Sequence, residues 1–207
     1  MIAIIDYDMG NLRSVAKAFE KVGAAAVVTR ERSVLGKASH VVLPGVGAFR
    51  ECMRNLESYG LVDEIIKAIN SGKPFLGICL GLQLLFDEGE EDGPAKGLGV
   101  IKGKVLRFPA GLLDASGGLK IPHMGWNGIK KKKDSPFLKD VPDGSFFYFV
   151  HSYHAVPDDP SVILASTDYG VEFTSAVEKN NVLACQFHPE KSQHLGLKIL
   201  KNFKEMK

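Results

Sequence analysis

One stretch of the chain, residues 74–86, limits the possible folds more than any other. It begins after Lys73 as an apolar run that is typical of a buried strand, and it continues as a leucine-rich run that predicts a helix. Cys79 stands where the two runs meet, with one glycine two residues before it and another two residues after it. This Gly-x-Cys-x-Gly pattern is typical of a nucleophile elbow, a sharp strand-to-helix turn that lifts the central side chain clear of a sheet.

The elbow pattern gives the thiol of Cys79 a chemical role. The positive end of the following helix would favour thiolate over thiol, and the thiolate is the nucleophilic form. The alternative is a core position, because a free cysteine in an apolar run is usually a small buried hydrophobic residue. The paired glycines and the change from strand to helix favour catalysis, so we take Cys79 as the candidate nucleophile.

The first half of the chain alternates between apolar strands and amphipathic helices. Besides the strand before Cys79, the pattern predicts strands at residues 2–6, 25–29 and 40–43 and helices at residues 12–22, 48–56 and 61–70. Such alternation indicates a parallel sheet with helices on both faces. Functional residues of such folds cluster at the carboxyl ends of the strands, where Cys79 and the glycine-rich residues 44–47 both lie.

After residue 87 the pattern changes to short strands joined by polar turns. Strands are predicted at residues 99–108, 145–154, 162–167, 171–177 and 182–187, and a last helix after Ser192. These strands indicate antiparallel or mixed pairing added to the first sheet. The predicted fold class is α/β: a flavodoxin-like three-layer fold with a central mixed, largely parallel sheet, helices on both faces and extra antiparallel strands in the C-terminal half. We expect one domain, residues 1–207.

Charge and cysteine content exclude several classes of protein. The net charge is +2, from 26 basic and 24 acidic residues, which gives no reason to expect a nucleic-acid or membrane partner. The three cysteines are odd in number and far apart, which argues against a disulfide framework or a cysteine zinc site. We therefore predict no metal and no cofactor. Residues 1–6 lack a signal-peptide pattern and no stretch has membrane-spanning length, so we expect a cytoplasmic protein.

His188 and Glu190 follow the predicted strand at residues 182–187. A cysteine nucleophile needs a base that takes its proton and later returns it to the leaving group, and histidine is suited to this role near neutral pH. Glu190 would orient the ring, because Pro189 keeps the backbone extended and residues two apart then face the same side. Alone, this sequence is also an ordinary strand exit. With the elbow in the same chain, we predict a triad of Cys79, His188 and Glu190.

The remaining histidines lack such a pattern. His151 and His154, three residues apart on a predicted strand, would face opposite sides of the sheet and make a poor dyad. We therefore predict hydrogen-bonded or solvated structural roles for both, and for His40, His123 and His194.

Residues near the elbow are candidates for binding a substrate. The backbone N–H of Leu80, next to the nucleophile, is a candidate oxyanion donor, and residues 44–47 are either a second donor site or a plain turn. Gln83, one helical turn beyond Cys79, would face the same mouth, or else lie at the edge of the core. Glu91 is a weaker candidate for holding an α-amino group, because acidic loops are usually solvated.

The elbow together with the His-Pro-Glu sequence resembles the triad, or class I, glutamine amidotransferases, and this resemblance spans nearly the whole chain. Three further stretches, residues 5–12, 44–49 and 122–127, resemble the glutaminase subunits of imidazole glycerol phosphate synthases, which belong to histidine biosynthesis. One departure is Asp8, where these proteins more often have glycine. It lies outside the triad and bears on the shape of the local loop.

The resemblance implies hydrolysis of L-glutamine to glutamate and ammonia through a thioester on Cys79. It also implies an oxyanion site at Val46 and Gly47, and substrate contacts from the backbone of Ser152 and Tyr153. The ammonia would pass to a cyclase subunit, a (β/α)₈ barrel that forms a heterodimer with the glutaminase and makes imidazole glycerol phosphate and aminoimidazole carboxamide ribotide. The present chain contains no barrel, so the cyclase would be a separate protein.

Trp126 is the candidate anchor for this partner, with Met124 and Pro122 beside it. We expect the loop around Asn11 to belong to the same partner surface. A lone tryptophan between glycine and asparagine, outside any long apolar run, is an unusual core residue and a common interface anchor. The alternative is a tryptophan that covers the edge of the sheet. The lysine run at residues 130–133 is first a solvated turn and second a patch for electrostatic steering.

The sequence leaves three alternative functions possible, two of them enzymatic and one non-catalytic. The chain could serve a different synthase, or act as an intracellular cysteine peptidase of the same fold. A non-catalytic regulatory subunit is disfavoured because all three triad residues are present. We also expect the isolated chain to be a poor glutaminase, since the glycines at positions 45 and 47 allow a peptide of the 44–47 loop to turn an oxyanion donor away from the site.

Overall fold

The computed structural model describes residues 1–114 and 117–207. The strands are β1 Ile2–Ile5, β2 Ala26–Thr29, β3 His40–Gly45, β4 Phe75–Cys79, β5 Phe86–Gly89, β6 Ala95–Lys96, β7 Ile101–Arg107, β8 Leu113–Asp114, β9 Gly117–Gly118, β10 His123–Gly128, β11 Lys130–Lys131, β12 Phe146–His151, β13 Tyr153–Pro157, β14 Ile163–Asp168, β15 Glu172–Lys179 and β16 Val182–Cys185. The helices are α1 Leu12–Lys21, α2 Arg32–Lys37, α3 Phe49–Ser58, α4 Val62–Asn70, α5 Leu80–Gln83 and α6 Gln193–Glu205, with 3₁₀ turns at Pro136–Leu138, Pro160–Val162 and Pro189–Lys191.

A mixed sheet runs through the molecule in the order β2-β1-β3-β4-β16-β15-β13-β7-β5-β6, and β14 joins it by pairing with β15 and β11. Pairing is parallel from β2 through β16. Beyond β16 it is antiparallel except between β5 and β7. This confirms the expected α/β fold, in which antiparallel strands of the C-terminal half extend the parallel sheet.

Each face of the sheet carries its own apolar core. Alternate residues of β1 point to opposite faces, so Ile2 and Ile4 lie in one core and Ala3 and Ile5 in the other. Helices α1 and α6 cover the first face, where their phenylalanines meet at a ring distance of 6.1 Å. Helices α3 and α4 cover the second face. The inner strands β1, β3, β4 and β16 are therefore buried on both sides, which explains why they are almost entirely apolar, whereas the edge strand β2 is partly exposed.

The helix predicted after Cys79 is shorter than its leucine content indicated. It ends at Gln83, and the chain then turns into β5. The carbonyls of Leu84, Leu85 and Phe86 accept hydrogen bonds from backbone N–H groups of residues 98–101 instead of continuing a helix. Distant backbone groups thus override the local preference for helix. Helix α2, which we did not predict, is a further difference.

The strand predicted at residues 145–154 is in fact two strands that belong to different sheets. β12 pairs with β10 in a separate two-stranded ribbon, whereas β13 pairs with β7 in the main sheet. The chain changes sheet at Ser152, which lies between them. None of the helices in the described part of the chain combines the length and the apolar character needed to cross a membrane.

Candidate active site

Cys79 occupies a strained turn between β4 and α5. Its φ is 56°, in the left-handed region that a residue with a side chain rarely adopts. A Cβ atom at Gly77 would lie 2.7 Å from the carbonyl oxygen of Gly81, and one at Gly81 only 1.8 Å from the carbonyl oxygen of Leu43 in β3. Only glycine fits at both positions, so the sequence pattern directly permits the sharp turn that presents the thiol.

His188 lies near Cys79 because β16 and β4 are parallel neighbours, with Cys185 opposite Ile78. Their carboxyl ends therefore meet at one edge of the sheet, and Cys79 and His188 line the same pocket. The segment after β16 is a 3₁₀ turn rather than the extended backbone we expected. The turn still brings Nδ1 of His188 within 2.8 Å of Oε1 of Glu190, so the ring donates its Nδ1–H to the carboxylate.

The turn that carries His188 is fastened to β12. The N–H of His188 donates to the carbonyl of Tyr148 at 2.9 Å. The hydroxyl of Ser192 donates to the carbonyl of His188 at 2.6 Å and accepts from the N–H of Tyr148 at 3.0 Å. Ser192 stands at the start of α6 as predicted, yet its side chain makes no capping bond to the helix. Its hydroxyl instead holds the backbone of His188 against β12.

The surroundings of His188 favour its protonated form. Burial alone would lower the pKa of the ring, but the adjacent Cys79 and the Glu190 carboxylate outweigh this and raise the pKa of His188 to about 10. Both side chains of the His188–Glu190 pair are almost fully buried. Nε2 of His188 is buried without a hydrogen bond to any residue that the structure describes. That nitrogen is therefore the one available to exchange a proton with the thiol or with a leaving group.

A pocket of about 260 Å³ opens over the sulfur of Cys79. It gathers most of the predicted site residues, and Glu190 stands behind His188 rather than in the lining. The lining comprises Val46, Gly47, Cys79, Leu80, Gln83, Glu91, Pro122, Val150, His151, Ser152, Tyr153 and His188.

Gln83 and Glu91 lie on the pocket wall with part of their bonding capacity already used. The side-chain nitrogen of Gln83 donates to the carbonyl of Tyr153 and to the side chain of Gln186, both at 3.0 Å. Since an amide nitrogen has two hydrogens, only Oε1 of Gln83 is left for a ligand. Glu91 accepts from the N–H of Phe49 at 2.7 Å through Oε2, and burial raises the pKa of its carboxyl. Glu91 also lines the pocket, where its carboxyl would suit an ammonium group.

The loop at residues 44–47 lies directly beside the elbow, since Gly45 is the register partner of Cys79. Two side chains hold its carbonyls from behind. The hydroxyl of Tyr7 donates to the carbonyl of Pro44 at 2.8 Å, and the thiol of Cys52 lies 3.5 Å from the carbonyl oxygen of Val46. Gly47 has a φ of 95°, which favours glycine at that position. The loop is therefore close enough to offer a backbone donor to a group bound at Cys79.

Two of the predicted partner residues, Met124 and Trp126, lie on β10. The ribbon of β10 and β12 turns one face outward, where Met124 and Trp126 are 62% and 45% exposed. Phe146 and Tyr148 of β12 share this face, and Trp126 packs edge-on against Tyr148 at 6.2 Å. Sequence reasoning missed both, although the alternating aromatic residues of β12 were the available signal.

Pro122 and Asn11 occupy different surroundings. Pro122 follows a cis peptide bond and lines the pocket. Asn11 is exposed and caps α1 by accepting from the N–H of Ser14 at 3.3 Å.

His151 and His154 do not face opposite sides as expected. Their rings both contact Phe108, at 5.2 and 4.8 Å, because the strand is interrupted at Ser152 and the alternation is not kept across it. Nδ1 of His123 and Nε2 of His151 are 3.1 Å apart in the core, consistent with a hydrogen-bonded structural role. Burial lowers the pKa of His123 to about 4 and that of His151 to about 3, so both rings are neutral.

Comparison with known proteins agrees with this geometry. The model of the family described as glutamine amidotransferase class-I matches residues 3–206. A protein of Geobacter sulfurreducens named imidazole glycerol phosphate synthase subunit HisH is 59% identical, over all of this chain and 99% of that protein. The subunit of the same name from Aquifex aeolicus is 54% identical, over 97% of this chain and 94% of that protein.

Solved structures show the same fold at low sequence identity. A glutamine amidotransferase crystal structure superposes with a TM-score of 0.70 and 20% identity, over 99% of this chain and all of the other. The structure of PurLQS from Thermotoga maritima superposes with a TM-score of 0.71, also at 20% identity, over 99% of this chain and 95% of that one. From the family match and the relatives together, the chain belongs to the class-I glutamine amidotransferases and, within them, to the HisH subunits of imidazole glycerol phosphate synthase.

Proposed function

We propose that this chain is the glutaminase subunit of an imidazole glycerol phosphate synthase, with Cys79, His188 and Glu190 as its catalytic triad. The observation that carries the proposal is the meeting of an elbow cysteine and a carboxylate-paired histidine in one pocket. The whole chain, residues 1–207, would act as a single domain, since both cores are built on one sheet. A reduced thiol nucleophile fits a cytoplasmic location.

The chemistry proceeds through a thioester. The sulfur of Cys79 attacks the side-chain amide carbon of glutamine, and His188 gives its proton to the amide nitrogen, so that the C–N bond breaks and ammonia leaves. His188 then takes a proton from water as the oxygen attacks the thioester carbon. The C–S bond breaks, glutamate leaves and the proton returns to the Cys79–His188 pair. Glu190 holds the ring so that Nδ1 is the donor and Nε2 faces the reaction.

Backbone N–H groups of Leu80 and of the Val46–Gly47 segment would stabilise the oxyanion of both tetrahedral states. Each such donor is worth a factor of about 10²–10³ in rate. The α-amino group of the substrate glutamine would bind the carboxylate of Glu91. The polar groups around its α-carbon would also contact Oε1 of Gln83 and the backbone of Ser152 and Tyr153. Leu80, Gln83 and Tyr153 lie on α5 and β13, whereas Val46, Gly47, Glu91 and Ser152 lie in connections between elements. Of these connections, the one at Val46 and Gly47 would supply the adjustable oxyanion donor.

We propose that the outward face of the β10–β12 ribbon binds the cyclase, a (β/α)₈ barrel, in a heterodimer. Met124 lies opposite Val150, and Val150 lines the pocket, so this apolar face runs up to the mouth of the active site. A partner seated there would cover the mouth and receive ammonia without its passing through solvent. Asn11 would be the second point of contact.

The test is a coupled assay with the cyclase of the same organism. We expect slow glutamate release by the isolated chain and faster release when the cyclase and its ligand are added. Cys79→Ser should lower glutamine-dependent synthesis by at least about 10³-fold while synthesis from ammonium salts continues. Glutamate release by Cys79→Ser at the wild-type rate would refute the elbow assignment, and cleavage of peptides rather than glutamine would point to a peptidase.

A further inference from the structure

Gln186 is a buried polar residue in an otherwise apolar run, and no part of the mechanism above uses it. It follows β16 directly and stands two residues before His188. Its side chain is fully buried. The amide touches both sides of the active site: Nε2 lies 3.7 Å from the sulfur of Cys79, and Oε1 lies 3.0 Å from Nε2 of Gln83. An amide at this place either donates to the sulfur or presents an oxygen to it, and the two have opposite effects on a thiolate.

The direction of the amide follows from a backbone carbonyl. The carbonyl of Tyr153 can only accept, so the atom of Gln83 that lies 3.0 Å from it is the nitrogen. The second hydrogen of that nitrogen points at Gln186, whose facing atom must then be the acceptor Oε1. The remaining end of the Gln186 amide, the NH₂ group, therefore faces Cys79. Because this assignment starts from the Tyr153 carbonyl, it does not depend on telling nitrogen from oxygen within either amide side chain.

The carbonyl that sets this direction is itself held from the core. It also accepts from Nδ1 of His151 at 2.9 Å, and the other ring nitrogen of His151 is bonded to His123. Both histidines stay neutral because burial lowers the pKa of each. The Tyr153 carbonyl thus uses both lone pairs, one toward each side, and has a fixed place in the wall of the pocket.

We propose that Gln186 donates an amide N–H to the sulfur of Cys79 and so stabilises its thiolate, while its oxygen holds Gln83 in position to bind substrate. This inference rests on the proposed role of Cys79 as the nucleophile. A separate donor is needed because α5 has only one turn, so its dipole offers the sulfur much less than the longer helix expected from the sequence. The long contact to sulfur suits a group that must release as the thioester forms.

Two substitutions separate the two functions of the Gln186 amide. Gln186→Met has similar volume but neither donor nor acceptor, whereas Gln186→Glu keeps an acceptor for Gln83 and removes the donor to Cys79. Ser175→Ala is the matched control. Ser175 is equally buried in the adjacent strand, its carbonyl accepts from the N–H of Gln186, and its hydroxyl has no partner among the described residues.

The primary measurement is the rate of iodoacetamide alkylation of Cys79 against pH, located by peptide mass spectrometry in the full chain. We expect the pH midpoint to rise by about one unit in Gln186→Met, equivalent to about tenfold less thiolate below the midpoint. It should rise at least as far in Gln186→Glu, where a carboxyl replaces the donor, and stay unchanged in Ser175→Ala. In the complex, KM for glutamine should rise in Gln186→Met and stay nearer the wild-type value in Gln186→Glu.

Wild-type midpoints in both folded Gln186 variants would overturn the proposal, as would an equal change in Ser175→Ala. A second measurement needs no change at position 186. In wild-type chain labelled with ¹⁵N, one buried side-chain NH₂ resonance should shift with pH in step with alkylation and lose that dependence in Cys79→Ser. No such resonance would also overturn the proposal. Glutamine hydrolysis by the wild-type complex is measured in parallel, so that absent glutaminase activity with normal thiol titration refutes the proposed function alone.

Discussion

The substitution Glu190→Gln isolates what the buried carboxylate contributes to the proposed triad. It keeps the size of the side chain and an oxygen that accepts from His188 Nδ1, but it removes the negative charge that lies 2.8 Å from that nitrogen. In the wild type, the charge centres of the Glu190 carboxylate and the His188 imidazolium are about 4 Å apart, which corresponds to about 4 kcal/mol of attraction at an effective dielectric constant of about 20. The neutral hydrogen bond that remains recovers about 1 kcal/mol. The imidazolium should therefore lose about 3 kcal/mol of stabilisation.

A loss of this size predicts a fall in kcat/KM for glutamine of about 10²-fold in the complex. It also predicts a change in the pH profile. The carboxylate helps to raise the pKa of His188, so the proton needed by the departing ammonia is present below that pKa and is lost as pH rises through it. Removing the charge lowers the pKa, and the alkaline limb of the profile should move to lower pH.

The assay is glutamate release by the cyclase complex between pH 6 and 10, with His188→Ala beside it. His188→Ala should lose more activity, because it removes the group proposed to move the protons rather than the one proposed to orient it. Unchanged rate and an unchanged alkaline limb in Glu190→Gln would refute the reasoning. So would a Glu190→Gln variant that is as inactive as His188→Ala while circular dichroism shows that it has kept its fold.

Three further predictions concern stability and assembly. Gly81→Ala should lower the free energy of unfolding by about 3 kcal/mol or more, because its Cβ would overlap the backbone of β3. The control Gly36→Ala in α2, where a Cβ has open space around it, should be neutral or slightly stabilising. Urea titration measures both variants, and equal values would contradict the packing argument. Burial lowers the pKa of His123 and His151, so the folded state disfavours their protonation. The free energy of unfolding should therefore be highest above pH 6.5, the ordinary pKa of histidine. Between pH 6.5 and about pH 4 it should decrease with falling pH, by up to about 1.4 kcal/mol per pH unit for each histidine. Urea titrations from pH 7 to 4 should show a smaller slope in a variant with His123→Asn and His151→Gln. Trp126→Ala should weaken cyclase binding by about 30-fold or more in calorimetry, and unchanged affinity would mean that the indole only covers the edge of the sheet.

The parts of the site that depend on neighbouring residues could be predicted from the sequence. The glycines around Cys79 are required by atoms within the turn and in the strand next to it, so their spacing alone indicated an elbow. The proximity of His188 and Glu190 is local in the same sense, since they are two residues apart, and they meet even though the backbone between them is a 3₁₀ turn rather than extended. The inner strands of the parallel half were also predictable, because burial on both faces requires continuous apolar runs.

Tertiary structure decided the features whose hydrogen-bond partners are far apart in the chain. Helix α5 stops at Gln83 because residues 98–101 bond the carbonyls that a longer helix would have used. The strand around Ser152 divides because its two halves find partners in different sheets. Gln186 faces Cys79 and Gln83 from more than a hundred residues away, and the direction of its amide depends on one backbone carbonyl of a third segment. A sequence pattern records the preferences of neighbouring residues, whereas the donors and acceptors of this site were matched only when separate strands met at one edge of the sheet.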